Sequence, residues 1–269
     1  MAGAHRHGHG SNSAASQAEL IALLETLYKS RNPTRRWLHR TRRDWMIARI
    51  SECARMRPGR ALEVGFGAGV YLRALATNYR EAVATDLEEV HLAHARAIAH
   101  DHPNLRVLID DITASDLPPE SFDLVLCSEV IEHIRQTSAV IRGIRRLLAP
   151  GGFLLISTPQ RFSILEIACK VAFMPLVINV ARRIYGEAVF ETGHVNLMTR
   201  RQMIRELQAG GFEILQHFES GLYLPLLAEF GGERGMRFAR RIEERMRGGR
   251  ISWILWTQYY LARAQATSC

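Results

Sequence analysis

Lysine is nearly missing from this chain. Among 35 basic residues the only lysines are Lys29 and Lys170, and arginine carries the rest of the net charge of +8. The skew reads as that of a GC-rich genome rather than a nucleic-acid code, although any basic surface attracts anionic lipid or nucleic acid. Cysteine is scarce too. Cys53, Cys127, Cys169 and Cys269 lie far apart and form no C-x-x-C. Neither a zinc site nor a disulfide framework is suggested, and a reducing cytoplasm is the default. No secretory signal is read ahead of the first helix. Long uncharged runs are also wanting. The most apolar stretch, 162–190, is interrupted by Glu166, Lys170 and Pro175, short of the roughly 20 largely uncharged residues a spanning helix needs. There is no internal repeat and no sign of a second domain. With 269 residues, 47% of them hydrophobic, the chain is long enough to close one large α/β core.

What the chain does have is Ala61-Leu62-Glu63-Val64-Gly65-Phe66-Gly67-Ala68-Gly69. The apolar run Ala61 to Val64 reads as a buried strand. Three glycines at alternate positions then make a tight turn, and Val70, Leu72, Leu75 and Ala76 take up helical spacing. Strand, glycine turn and helix open a nucleotide-binding α/β unit. Glycine belongs there because a side chain would keep a ligand off the backbone, and because some turn positions favour φ > 0. A helix start beyond the turn offers free N–H groups to a negative ligand group. The dinucleotide fingerprint is G-x-G-x-x-G. Here the spacing is G-x-G-x-G, with an acid, Glu63, ahead of it.

The rest of the chain falls in line around this turn. Residues 1–15 are small, polar and His-rich, with His5, His7 and His9; a disordered tail is expected, a metal-binding tract the alternative. Residues 16–58 read as N-terminal helices. Leu20, Leu23, Leu24 and Leu27 share one face, the Arg-rich segment 31–43 follows, and a second helix runs through Trp45, Ile47 and Ile50 to Pro58-Gly59. The core, about 60–160, alternates strands with helices. Strand two, Ala82 to Thr85, ends in Asp86, which can accept from both ribose hydroxyls or cap the next helix. Strand three, Leu105 to Ile109, is followed by Asp110-Asp111-Ile112. An acid there can accept from an adenine amino group, or simply cap a turn. Strand four, Phe122 to Cys127, is apolar as a central parallel strand should be. It runs into Ser128-Glu129-Val130-Ile131-Glu132-His133. If that segment opens a helix, Glu129, Glu132 and His133 share a face. A helix over 140–148 stops at Ala149-Pro150-Gly151-Gly152, and strand five is Phe153 to Ser157. Thr199-Arg200-Arg201-Gln202 is a capping-box pattern. Strand six is Phe212 to Glu219, Gly221 to Leu227 an apolar loop, Arg234 to Arg247 a basic helix, and Trp253 to Arg263 holds the last strand.

Taken in order, the glycine turn, Asp86, Asp111-Ile112, Phe-Asp-Leu-Val at 122–125, Glu132-His133 and Leu-Ala-Pro-Gly-Gly at 148–152 resemble a class I S-adenosylmethionine (SAM) methyltransferase. Asn32-Pro33 with a nearby Arg, Glu129-x-x-Glu132-His133, Ser157-Thr158 with Arg161, Gly193-His194-Val195 and Gly221-Leu222-Tyr223 are similar to the branch containing ubiquinone-biosynthesis O-methyltransferases. The resemblance implies a Rossmann-like α/β fold, with a seven-stranded, mostly parallel sheet and helices on both faces. Its final strand would be antiparallel, inserted between strands five and six. It also implies roles. Gly65, Gly67 and Gly69 would wrap the methionine part of SAM with Glu63 bracing the turn. Asp86 would bind ribose, and Asp111 with Ile112 adenine. Leu87 and Ser128 join the cofactor-binding set. Arg35 is the best match for an arginine facing the SAM carboxylate, with Arg36 beside it as a competitor.

For chemistry, a hydroxyl acceptor must lose a proton, and histidine titrates in the useful range. His133 is the first candidate base and His194 the second; each also fits a structural histidine. A divalent metal such as Mg at Glu129, Glu132 and His133 is a further alternative. The stretch 162–190 fits a buried helix pair, a lid over a lipophilic substrate, or a peripheral membrane contact. The function expected is therefore methylation of a lipophilic small molecule, at oxygen ahead of carbon or nitrogen. The rival is a membrane-surface protein that binds SAM without turnover. Nucleic acid is an unfavoured substrate, because no Asn/Asp-Pro-Pro-Tyr/Phe tetrapeptide follows strand four and its end is acidic.

Overall fold

The computed structural model describes residues 27–172 and 194–265. The His-rich tail, Leu20 to Leu24, Gly193, Cys269 and most of the 162–190 stretch lie outside them.

Seven strands form one sheet in the order β3-β2-β1-β4-β5-β7-β6. They are β1 Arg60–Val64, β2 Glu81–Asp86, β3 Leu105–Ile109, β4 Phe122–Ser128, β5 Leu148–Pro159, β6 Phe212–Ser220 and β7 Thr257–Ala264. All neighbours from β3 to β5 pair in parallel, while β7 runs antiparallel to both β5 and β6. The expected topology, final strand included, is the one found.

Alternation along the strands sorts the core into two layers. Ala61, Ala84, Leu124, Leu126, Leu155 and Leu261 face one way. There they meet helix α1, Pro33–Met56, and helices α2, Leu72–Asn78, and α3, Glu89–His100. Leu62, Val64, Val125, Cys127, Leu154 and Ile156 face the other way. They meet Val140, Ile141, Ile144 and Leu147 of α4, Thr137–Leu147, and Met203 and Leu207 of the helix Arg200–Ala209. Both faces are covered, so the interiors of β1 and β4 are mostly apolar, with Glu63 the buried exception. Helix α5 is Ile164–Ala172, α6 Arg200–Ala209, α7 Pro225–Phe230 and α8 Gly232–Met246. Among the described residues no helix is long and apolar enough to cross a membrane.

Local signals explain most boundaries. Asn32 caps α1, its side-chain oxygen accepting from the N–H groups of Thr34 and Arg35, with Pro33 in the first turn. Thr199 and Gln202 form the reciprocal capping box that starts α6. Three expectations need correcting. No α-helix opens at Ser128; the chain makes only a short 3₁₀ turn, Ile131–His133. Glu129 sits at φ +58, a left-handed conformation that cannot continue a right-handed helix. Strand five begins at Leu148, not Phe153. Gly151, at φ +73, bends the chain, and pairing with β4 shifts register between Phe122 and Leu124, so the Pro-Gly-Gly signal marks an irregularity in a strand. Finally, the apolar loop expected over 221–227 ends early, because Pro225 starts α7.

Gly143 on α4 lies against the backbone of Ile112, and a Cβ there would overlap the Ile112 carbonyl oxygen. Backbone cannot yield as a side-chain tip can. Gly143→Ala should therefore destabilise the protein by about 1–3 kcal/mol, read as a lowered urea midpoint at unchanged m-value.

Candidate active site

The carboxyl ends of β1 to β5 converge on one side of the sheet, where ligands bind in open α/β folds. At the end of β1 the glycines adopt φ +66, +50 and +66 at positions 65, 67 and 69. A Cβ at Gly65 would strike Val130, whereas one at Gly67 would meet nothing within 4 Å. The turn thus presents bare backbone over open space. The helix behind it, α2, starts only at Leu72 and has no side-chain cap.

Two acids adjoin this turn, Glu63 and Asp86, and two more, Asp110 and Asp111, follow β3. Glu63 is 2% exposed, and its Oε2 is buried with no hydrogen-bond partner. Burial, and then the nearby Asp86, push its carboxyl well above the ordinary range. Asp86 is buried at the end of β2. Its Oδ2 accepts from the Gly67 N–H at 3.0 Å, its Oδ1 from the Glu88 N–H at 3.1 Å, and His91 Nδ1 stands 3.0 Å from Oδ2. Burial opposes the charged form, but the bonds from His91, Glu88 and Gly67 outweigh it and hold the pKa below the usual carboxylate value. After β3, Asp111 turns its carboxylate into its own loop, accepting from the N–H and hydroxyl of Thr113. Asp110 instead carries a buried, unpartnered Oδ2. Ile112 is buried behind this loop, and Leu87, beside Asp86, is 62% exposed.

The end of β4 is held by a charge network. Arg42 of α1, itself buried, reaches Glu129 Oε2 at 2.6 Å. Glu129 Oε1 accepts from the Ser157 hydroxyl at 2.9 Å, and Ser157 Oγ lies 3.0 Å from Ser128 Oγ. Arg42 also stacks on Trp256, 5.5 Å from the ring centroid. Glu132 is fully buried, accepts from the Thr158 hydroxyl at 3.0 Å and leaves Oε1 unpartnered. Burial and then Glu129 push its carboxyl well up. Its backbone carbonyl accepts from the N–H groups of Val195 and Asn196, both at 3.0 Å. That brings His194 to His133, ring centroids 5.3 Å apart and edge to face. His194 Nδ1 lies 3.3 Å from Glu166 Oε2.

The residues picked out from sequence therefore meet in part. Glu63, the glycines, Asp86 and Ser128 share the strand ends, and His133 and His194 stand together across 61 residues of chain. Glu129 does not join Glu132 and His133 on one face, since its backbone turns it toward Arg42 and Ser157. The trio whose ligand atoms lie within 4.8 Å of one another is Glu132, His133 and His194. Arg35 pairs with Glu229 at 3.3 Å, and Arg36 with Glu233 at 2.8 Å. It is Arg42 that reaches the strand ends. A signal for it was available: Leu38, Arg42, Met46 and Ile50 recur at i+4 on the buried face of α1, and a charge on a core face needs a buried partner. Asp110 stood in the sequence beside Asp111 as an acid after strand three, whereas His91 and Glu166 had no comparable local signature.

A family model described as a methyltransferase domain matches residues 36–217. The chain belongs to the methyltransferase domain family. Within it, the ubiquinone biosynthesis O-methyltransferase of Pseudomonas syringae pv. tomato is 36% identical over 115 residues, 42% of this chain and 49% of that one. The protein of the same name from Pseudomonas putida is 33% identical over 121 residues, 44% of this chain and 50% of that one. This methyltransferase-family chain spans about half the length of the curated relatives it matches. Among solved structures, the N-methyltransferase NodS of Bradyrhizobium japonicum WM9, in complex with S-adenosyl-L-homocysteine, gives a TM-score of 0.59 at 15% identity, covering 95% of this chain and 100% of that one. The [4+2]-cyclase SpnF gives 0.56 at 20% identity, covering 83% and 81%. These likenesses establish the Rossmann-like class I fold. Two such different reactions on one fold leave chemistry to the side chains.

Two outcomes follow from the geometry. Arg42→Ala leaves the half-buried carboxylate of Glu129 without its cation and should cost about 1.5–3 kcal/mol; the neutral double variant Arg42→Met, Glu129→Gln should lose less than the two single variants combined, by urea unfolding. The bond to Asp86 raises the His91 pKa above its ordinary value of 6.5, against the opposing effect of burial. Its stabilisation is then complete below pH 6.5 and fades as pH rises through the raised value. The stability gap between wild type and His91→Gln should be wider near pH 6 than near pH 9.

Proposed function

We propose that this methyltransferase-family protein transfers a methyl group from SAM to a hydroxyl oxygen of a lipophilic small molecule. The observation that carries the reading is the ring of carboxyls at the ends of β1, β2 and β3 around a bare glycine turn. SAM offers an ammonium, two ribose hydroxyls and an adenine amino group, all donors. Glu63 and Asp110 each have a buried oxygen with no partner, so the residues present fit the group. Asp86 is the ribose acid, held ionised by its neighbours. Leu87 supplies an exposed apolar shelf for the adenine ring, and Ser128 lies at the far edge. Asp111 stays with its own turn, which favours Asp110 as the acid nearest adenine. Arg35 in its pair with Glu229 is less suited to the SAM carboxylate than Arg42, although Arg42 is already engaged by Glu129.

When bound, SAM supplies an already activated methyl on a cationic sulfonium, so the protein mainly aligns the acceptor and excludes water. The acidic strand ends suit a cation and repel phosphates, which argues against nucleic acid. His133 and His194, beyond the end of β4, are the groups that can take the acceptor's proton. A divalent cation at Glu132, His133 and His194 is the alternative way to lower the acceptor's pKa, and two imidazole donors suit a transition metal such as zinc better than Mg. The O-methyltransferase relatives support oxygen as acceptor atom.

A membrane contact has its own support. Phe162, Ile167 and Val171 at the start of the apolar stretch are 51%, 49% and 49% exposed, and Ile167 and Val171 share a face of α5. Such a patch suits the inner face of a membrane and a lipophilic acceptor delivered from it. Ile167→Asp with Val171→Asp should then release the protein from anionic vesicles in co-sedimentation; unchanged sedimentation would remove this contact.

The cofactor reading is tested by calorimetric titration with S-adenosylhomocysteine, with NAD as control. Wild type should bind it, and Asp86→Ala should bind about 30-fold more weakly, roughly 2 kcal/mol. A folded wild type that binds none would end the enzyme reading.

A further inference from the structure

We propose that a cavity between α1 and α8 binds a phosphate group carried on an apolar or aromatic body, at a place separate from the candidate active site. The site does not depend on the O-methylation reading above. The cavity has a volume of about 570 Å³, within the range of small-molecule sites. Its walls are one flank of α1, one flank of α8 and the residue just past it, and Phe218 of β6. Arg40 and Asp44 stand two positions to either side of Arg42. Helical geometry therefore turns them away from the strand ends that Arg42 reaches.

Charge selects an anion. Arg36, Arg40, Arg240 and Arg247 all line the cavity. The one carboxylate among the lining residues, Asp44, is drawn to Arg43 at 2.7 Å. A guanidinium carries five donors in a fork that matches phosphate oxygens, and the bonds these arginines make use only some of them. Arg40 Nε donates to the Tyr28 carbonyl at 3.0 Å, and Arg36 Nη1 to the Ser30 carbonyl at 2.7 Å. Arg36 also pairs with Glu233 at 2.8 Å and Arg240 with Glu244 at 3.0 Å, but those carboxylates are 52% and 48% exposed. Ion pairs held in water are weak, so a dianion can displace them. Arg247 is fixed more firmly. It pairs with Glu243, which is fully buried and also accepts from the N–H groups of Gly221 and Leu222 at 2.9 and 2.8 Å. Its Nε is buried with no hydrogen-bond partner, a costly state that an acceptor oxygen seated in the cavity can relieve.

The rest of the lining selects what carries the anion. Trp45 stacks on Phe218, with ring planes 6° apart and centroids 5.8 Å apart, and Trp37 joins them from α1. The Arg247 guanidinium covers the Phe218 ring at 4.8 Å from its centroid. A bare phosphate would leave this aromatic surface facing water, whereas an apolar body attached to it would cover the rings. A phospholipid headgroup and a soluble phosphate ester both have that chemistry.

Two of the four tryptophans, Trp37 and Trp45, line the cavity, so the full chain is titrated with benzyl phosphate by tryptophan fluorescence. Wild type should give a saturable change whose affinity falls as salt is raised. Benzyl alcohol, the neutral counterpart, should bind at least about 10-fold more weakly. Arg40 and Arg240 are exposed, so Arg40→Gln with Arg240→Gln leaves the core intact. That double variant should lose about 10-fold or more in benzyl phosphate affinity, with its urea midpoint and its response to S-adenosylhomocysteine unchanged. Asp44→Asn, which removes the lining carboxylate, should bind benzyl phosphate more tightly. Vesicles of phosphatidylglycerol in phosphatidylcholine then separate the two sources. Reduced co-sedimentation of the double variant assigns the site to a lipid headgroup, and unchanged co-sedimentation assigns it to a soluble ester. No saturable binding of benzyl phosphate by wild type, or equal affinity in wild type and the double variant, would overturn the site.

Discussion

The contact between Arg42 and Glu129 decides how this molecule is put together around its site. A buried guanidinium and a carboxylate 2.6 Å apart join α1 to the end of the central strand β4. The Arg42 charge would not be tolerated there alone, because taking an ion out of water costs several kcal/mol unless a partner and further hydrogen bonds offset it. Trp256 and Ser157 provide those further contacts. For Glu129 to reach Arg42, its backbone must enter the left-handed region, which stops a helix from forming after β4. The chain then makes its 3₁₀ turn, buries Glu132 beneath it and leaves His133 at its edge. One ion pair therefore sets the docking of α1 and the shape of the loop that borders the site.

A second constraint is the density of acid at the strand ends. Glu63, Asp86, Glu129 and Glu132 all lie there, three of them largely out of water. The structure handles them in different ways. Asp86 is kept ionised by its hydrogen bonds, Glu129 has Arg42, and Glu63 and Glu132 are pushed toward the neutral form by burial. A cationic ligand relieves this crowding and an anionic one aggravates it. That preference suits a sulfonium better than a nucleotide phosphate, and it is independent of any likeness to other proteins.

Likeness alone would have left the reaction open. An N-methyltransferase and a [4+2]-cyclase share this fold at nearly equal TM-scores, and the relatives named for O-methylation are matched over only about half their length. Past the strands this chain carries His194 beside His133, the buried Glu166, and the exposed apolar face of α5. The last two belong to one short helix. The helix that buries Glu166 beside His194 is thus the same one that presents an oily surface outward.

The sequence by itself determined the parts governed by near neighbours. Apolar runs fixed the strands, with β3 legible to the residue. Alternating glycines gave the turn after β1, and Thr199 with Gln202 gave the start of α6. In each case the signal and its effect lie within a few residues, so the local chain carries all the physics. Tertiary structure alone decided the pairings. Arg42 finds Glu129, His194 finds Glu166 and His133, and Asp86 finds His91 because the sheet order brings distant loops to one edge. Burial then makes each charge or ring take the partner that arrives there. Arg35 and Arg42 are alike as letters in an arginine-rich run. Only the packing of α1 against the sheet put one of them beside Glu229 and the other beneath the site.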